Sequence, residues 1–184
     1  YTSYTDKTAS SGQNYLYTVR AYDGVGVSAH VPDGPVVKHV AAPEFTLSNN
    51  AKGVAVKWEL VDKATSYRVY RKTASTGWQL LAELDGSKKS YTDSTAKRGS
   101  TYYYTVRAVC DGTYSGYNSA GVAIKSLAMP TIKISNVGAG AKISWNKCSG
   151  ASGYYVYRQN ATGGWTRIAK ITSGSTVSYT DKPV

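Results

Sequence analysis

The 184 residues carry 22 Lys and Arg against 11 Asp and Glu, a formal charge of +11, with 17 Tyr against one Phe, four Trp and one Met. That length admits one large all-β domain or two small ones, and the Tyr, Thr, Ser, Val and Gly bias suits twisted strands joined by tight turns. No apolar run approaches the length of a membrane-spanning helix, and the opening Tyr1-Thr2-Ser3-Tyr4 lacks the basic and apolar regions of a signal peptide, so any export signal is expected outside this sequence; Cys110 and Cys148 are too few for a disulfide framework and too isolated for a metal site.

In chain order, the first anchors are Tyr4-Thr5-Asp6 and Tyr17-Thr18-Val19-Arg20-Ala21. The former returns as Tyr91-Thr92-Asp93 and Tyr179-Thr180-Asp181, 87 and then 88 residues on, and the latter as Tyr104-Thr105-Val106-Arg107-Ala108, 87 residues on. Pro43 becomes Pro130, Trp58 becomes Trp145, Gly77-Trp78 becomes Gly164-Trp165, and Tyr67-Arg68-Val69-Tyr70-Arg71 becomes Tyr154-Tyr155-Val156-Tyr157-Arg158, all at 87. A period this long exceeds that of a solenoid and matches a small domain that folds on its own. The expected division is residues 1–42 as the last part of one module (strands E to G), residues 43–129 as a complete module, and residues 130–184 as the first part of a third (strands A to E). Short junctions carrying Pro43 and Pro130 separate them.

Within residues 43–129 the strand signals fall in seven places. Phe45-Thr46-Leu47 opens. Val54-Ala55-Val56-Lys57-Trp58 alternates, placing Val54, Val56 and Trp58 on one face and Lys57 in water. Residues 66–72, 78–84, 89–93, 102–109 and 121–127 follow, separated by Asn, Asp, Gly and Ser clusters such as Asn49-Asn50 and Asp111-Gly112. Seven short strands with frequent turns indicate an all-β, antiparallel, immunoglobulin-like sandwich.

These residues resemble a fibronectin type III module of the kind found in tandem in bacterial secreted and surface proteins. Trp58 and Trp145 stand where that family carries its core tryptophan, and Tyr67-Arg68-Val69 is similar to its Tyr-x-Val. Gly99 to Ala108 is similar to its Gly-x-x-Tyr-x-x-x-Val-x-Ala stretch, which implies that Tyr102, and Tyr15 before it, form a tyrosine corner. Where the family usually has Leu, this chain has Ala9 and Ala96. The resemblance implies a fold and no activity of its own.

Catalytic chemistry is not expected. His30 and His39 do not recur and have no nucleophile to serve, while Asp6, Asp93 and Asp181 stand one per module and read as turn-holding carboxylates. No cofactor motif and no metal motif is present. Cys110 and Cys148, predicted beyond a strand in successive modules, are too far apart to pair and are expected as free or buried thiols.

Charge divides unevenly: residues 1–42 hold three basic and three acidic groups, residues 43–129 twelve against seven, and residues 130–184 seven against one. Such a field attracts polyanions, among them acidic cell-wall polymers and sulfated glycans. Nucleic acid is not the expected partner, because the basic residues are dispersed singly or in pairs and no nucleic-acid-binding signature occurs. Trp78 and Trp165 each begin an alternating strand. If Trp78 shares a face with Leu80 and Leu84 it packs the sheet, the arrangement alternation favours; if it faces outward it is placed to stack on a sugar ring. Tyr70, Tyr103, Tyr114 and Tyr117 would widen that platform, and Thr113 to Asn118 is the candidate contact loop.

The expected function is a structural spacer or adhesion array of a secreted or cell-surface protein, with a carbohydrate- or cell-wall-binding module as the alternative. Cell-wall polymer, glycan or a host surface protein are the candidate partners. The part-modules at the two ends are complementary, so completion of one chain's module by another copy is a further expectation.

Overall fold

The computed structural model describes residues 2–182 and is built entirely of strands and turns. Ahead of the first junction lie β1 (Asn14–Leu16) and β2 (Val36–Lys38), paired antiparallel with Tyr15 opposite Val37. The middle repeat supplies β3 (Phe45–Asn49), β4 (Val54–Trp58), β5 (Ser66–Lys72), β6 (Gln79–Asp85), β7 (Ser90–Asp93), β8 (Thr101–Cys110), β9 (Thr113–Tyr114) and β10 (Val122–Lys125). The last segment repeats the first five of these as β11 (Ile132–Val137), β12 (Gly140–Trp145), β13 (Tyr154–Gln159), β14 (Trp165–Ile171) and β15 (Ser178–Asp181).

The strands form sheets in the order β3-β4-β7 and β10-β8-β5-β6, with β9 added to β8, and again β11-β12-β15 and β13-β14. On β4, Val54, Val56 and Trp58 are buried and Lys57 is exposed, as a half-buried strand requires. Trp58, from the three-stranded sheet, meets Tyr67 of β5 with ring centroids 5.4 Å apart, and both are buried. The next repeat reproduces the pair as Trp145 and Tyr154 at 5.2 Å. A sandwich is therefore closed by one aromatic contact per repeat, with the tyrosine ring turned inward and its hydroxyl spent on backbone: Tyr67 Oη accepts from Val61 N at 2.7 Å, and Tyr154 Oη from Cys148 N at 3.0 Å.

Other polar contacts recur at the same offset. Tyr102 Oη accepts from Lys97 N at 3.1 Å and Tyr15 Oη from Ser10 N at 2.8 Å, which is the expected tyrosine corner, closed over Ala96 and Ala9 in place of Leu. Asp93 Oδ1 accepts from Thr95 N and Oγ1 at 2.9 and 2.7 Å, and Asp6 Oδ1 from Thr8 N and Oγ1 at 2.8 and 2.6 Å. These hydrogen bonds from Thr8 hold the Asp6 carboxyl below the ordinary carboxylate range. Asp181 instead accepts from Arg158 at 3.1 Å. The recurring aspartates thus hold turns and an ion pair.

Several boundaries differ from the sequence expectation. The strand expected from Trp78 begins at Gln79, and an additional two-residue strand, β9, takes up the start of the predicted contact loop. Cys110 is the last residue of β8, not beyond it; it and Cys148 are buried, free thiols. Residues 17–21, expected as a strand like β8, are not one. Val19 is 91% exposed where Val106, 87 residues on, is 1% exposed.

The chain divides into two compact units, Tyr1–Thr46 with Lys57–Tyr91 and Tyr103–Val122, and Leu47–Val56 with Thr92–Tyr102 and Ala123–Val184. Each contains one junction between repeats. In the first unit, Gly12 (φ 77°) lies against Lys63 (φ 59°); a Cβ on Gly12 would stand 2.5 Å from the Lys63 Cβ. Lys38 Nζ also reaches Asp111 Oδ2 at 2.8 Å. In the second unit, Gly99 (φ 88°) lies against Ser149 and Gly150 (φ 79°), and a Cβ on Gly150 would stand 2.7 Å from the Gly99 Cα. Gly12 and Gly99, like Lys63 and Gly150, are 87 residues apart.

Replacing Tyr102 by Phe keeps the ring and removes the acceptor for Lys97 N. Urea unfolding followed by Trp fluorescence should show a loss of about 1–2 kcal/mol, the range for a half-buried donor left unsatisfied.

Candidate functional site

On β8 the side chains of Tyr104, Val106 and Ala108 are buried in the core, so alternation places Tyr103, Thr105 and Arg107 on the opposite, outward face. On β5, Lys72 lies opposite Tyr103, Tyr70 opposite Thr105 and Arg68 opposite Arg107. The outward face is therefore a lattice of rings and cations. Lys72 Nζ sits 4.7 Å from the Trp78 ring centroid and 5.8 Å from that of Tyr103. The guanidiniums of Arg68 and Arg107 lie 4.8 and 5.0 Å from the Tyr114 centroid, and Arg107 is also 5.1 Å from Tyr117.

Two arginines directly opposite across a strand pair repel each other. Glu83 offsets part of that, accepting from Arg68 Nε at 2.9 Å and pairing with its Nη2 at 2.9 Å, which raises the already high guanidinium pKa. Arg107 is oriented by donating Nε to the Ser115 carbonyl at 2.9 Å, and Lys72 by donating to the Ser119 carbonyl at 2.8 Å. The Ser115 clamp has a counterpart in Arg20 Nε donating to the Ser28 carbonyl at 2.6 Å, again 87 residues earlier.

The structure brings Trp78, Tyr70, Tyr114 and Tyr117 onto this one face and leaves Trp165 out. Trp78 does not pack inward, the placement that simple alternation favoured: the register shift puts Leu80 opposite Tyr70 and 48% exposed, while Leu84 stands opposite the buried Tyr67. It precedes β6, lies half-buried over the outward face, and meets Tyr117 edge-on at 6.4 Å. Gly121 makes room for it, since a Cβ there would come within 2.6 Å of the indole Cη2. Trp165, in the next repeat, is 69% exposed. In the same repeat Tyr155 and Tyr157 stand 6.5 Å apart, with Arg167 over Tyr155 at 5.1 Å.

Tyr70, Trp78, Thr105, Arg107 and Tyr117 line a cleft of about 100 Å³. Thr105 is 2% exposed and its hydroxyl has no hydrogen-bond partner among the described residues. Sequence reading missed Lys72, Thr105, Arg68 and Arg107 as members of this face. The signal was available in alternation along residues 66–72 and 102–109, but only the strand register shows that the two rows stand side by side. Among the described residues no three His, Cys, Asp or Glu side chains converge to hold a metal. What the face can do chemically is hold an anion against fixed cations and present ring edges to an apolar surface.

No family model matches the chain. Among curated proteins it is similar to Exoglucanase B of Cellulomonas fimi, 29% identical over 213 residues that take in 98% of this chain and 18% of that protein. It is also similar to Amylopullulanase of Thermoanaerobacter thermohydrosulfuricus, 38% identical over 63 residues, 34% of this chain and 4% of that protein. The chain thus spans less than a fifth of the length of these relatives. Among solved structures, an Fn3-like protein from Clostridium thermocellum is 32% identical over 42% of this chain and 86% of its own, with a TM-score of 0.35.

The two outer tryptophans should separate by solvent access. Acrylamide quenching of the Trp165→Phe variant should lose the most accessible component of the emission, whereas Trp78→Phe should retain it. Gly121→Val should displace the Trp78 ring and add a newly accessible component.

Proposed function

We propose that this chain, which belongs to the family of fibronectin type III-like modules, is a non-catalytic spacer segment of a secreted or cell-surface polypeptide, setting the distance and orientation of domains carried elsewhere in it. The observation that carries this reading is the joint. The turn before the corner tyrosine of one repeat, Gly12 or Gly99, is pressed against the turn after the second strand of the next, Lys63 or Gly150. Both partners of each joint have positive φ, so the backbone shape that permits the approach is the same twice. A contact repeated at the same offset holds the backbone of each junction in the same local arrangement. Flexible tethering needs no such contact. The similarity to proteins named as an exoglucanase and an amylopullulanase supports an accessory place beside a polysaccharide-cleaving domain, since the matched part is a small fraction of either relative.

The joint can be opened from either side. Gly99→Val wedges a side chain into it, and Ser149→Phe does so without altering the backbone of the middle repeat. Small-angle X-ray scattering of the unmodified chain should fit a single conformation, and both variants should require an ensemble with a broader distribution of dimensions. Unchanged profiles in both would overturn the spacer reading.

The first joint is also pH-dependent. The hydrogen bond and charge of Lys38 hold the Asp111 carboxyl below the usual carboxylate value of 3.8, and the Asp111 hydrogen bond raises Lys38 above its usual 10.5. A carboxyl with a lowered folded-state pKa stabilises above its unfolded value and ceases to as pH falls through the depressed one; the raised lysine stabilises below 10.5 and ceases to as pH rises through its own folded value. An NMR titration should therefore place the Asp111 midpoint below 3.8, and Lys38→Ala should move it upward.

A further inference from the structure

The cleft beside Trp78 has three properties that the spacer reading does not use. Its lining includes a buried hydroxyl, that of Thr105, with no partner among the described residues. Folded proteins satisfy such groups, and one left unsatisfied just beneath a cleft offers a donor to a ligand oxygen once the lining side chains move to admit it. The cleft holds about 100 Å³, a few water volumes, so it admits a substituent and not a whole sugar ring. Around it Lys72, Arg68 and Arg107 face one carboxylate, Glu83.

The way the cations are held decides what that substituent is. Each lies on an aromatic face: Lys72 on Trp78, Arg68 and Arg107 on Tyr114, with Arg107 also on Tyr117. A ring fixes a cation in place without neutralising it. The same contacts cover the ring faces on which a nucleobase would stack, which disfavours a single-stranded nucleic acid. A neutral glycan would gain nothing from the three charges. Along β5, Lys72 and Arg68 are four residues apart, roughly 13 Å, so a polymer bearing anionic groups at short, regular intervals spans a row that a single sugar does not. Tyr114 and Tyr117 are 38% and 45% exposed at the rim, offering hydroxyls and ring edges to a hydroxyl-rich chain.

We propose that the outward face around Trp78 binds an acidic polysaccharide, one uronate carboxylate entering the cleft against Arg107 and the Thr105 hydroxyl while neighbouring carboxylates meet Lys72 and Arg68. This goes beyond the spacer function and is independent of it: binding is read on the outward sheet face, and joint stiffness by scattering.

The probe is polygalacturonate, titrated into the full chain at physiological salt and followed by Trp fluorescence and calorimetry. Its fully methyl-esterified form, polyglutamate and single-stranded DNA serve as comparisons. The expected result is saturable binding to polygalacturonate, weakened about tenfold or more by esterification or by Arg107→Gln, the scale of a lost charge-assisted hydrogen bond. The isosteric Thr105→Val should weaken it several-fold without lowering the unfolding midpoint, which separates a ligand contact from a folding defect. Lys133→Gln with Lys142→Gln, on β11 and β12, should have no effect. Absence of binding would overturn the proposal. So would equal affinity for polyglutamate or DNA, or an equal loss from the Lys133 and Lys142 substitutions, since either would reduce the effect to net charge.

Discussion

The fold depends on one contact per repeat, the tryptophan of the second strand laid against the tyrosine of the third. Trp58 on Tyr67 and Trp145 on Tyr154 bring two sheets together at nearly the same separation, 5.4 and 5.2 Å. Both indole N–H groups are buried without an acceptor among the described residues, so the tryptophan contributes by packing alone. The tyrosine does more, because its hydroxyl reaches through the core to take up the backbone N–H of Val61 or Cys148 in the turn between the two strands. One ring thereby fixes the spacing of the sheets, and its oxygen fixes the turn that the joint then uses. Lys63 and Gly150 are two residues beyond those N–H groups.

Much of this was legible because its signals are local. Alternation in Val54 to Trp58, the 87-residue repeat and the corner tyrosines needed no knowledge of which strands are neighbours. The face taken by Trp78 was not legible, for two physical reasons. Trp78 precedes β6, outside the strict alternation of the strand. The β5–β6 ladder also shifts register between Val69 and Tyr70, where Tyr70 stands opposite Leu80 and Val69 opposite Ala82, so counting by twos fails there. The same shift recurs between Val156 and Tyr157, which makes it a property of the repeat. The joints were invisible for a different reason: they join residues 51 apart in sequence, and neither a glycine nor a lysine announces a close approach by its identity alone.

Matching sequence does not by itself make matching strands. Tyr17-Thr18-Val19-Arg20-Ala21 repeats the sequence of residues 104–108 in the central strand β8, yet among the described residues the pairing beside it is limited to β1 with β2 before it and a single Tyr22–Val27 bridge after it. What survives in that segment is what can be made locally. The Arg20 and Ser28 hydrogen bonds, and the Gly12 and His39 backbone bond at 2.8 Å, match those of Arg107 and Ser115, and of Gly99 and Ser126 at 2.7 Å. Turn chemistry persists where the ladder is absent, since side-chain caps act over a few residues and strand pairing does not.

Joints and outward sheet face use separate surfaces. The joints use the turns at the ends of each repeat, and the residues that carry them, Gly12, Lys63, Gly99 and Gly150, are none of those on the Trp78 face. That face also carries a feature the fold does not require. Arg68 directly opposite Arg107 is a like-charge cross-strand pair, which opposes strand pairing. A sandwich selected for stability alone has no use for it, and the next repeat places Tyr155 where the middle one has Arg68. The cost is partly offset within the chain by Glu83 and by the rings of Tyr114 and Tyr117, but one carboxylate against three cations leaves the field positive. A repeat that tolerates this repulsion on its lateral face, while its ends are committed to its neighbours, is arranged to meet something negatively charged along its side.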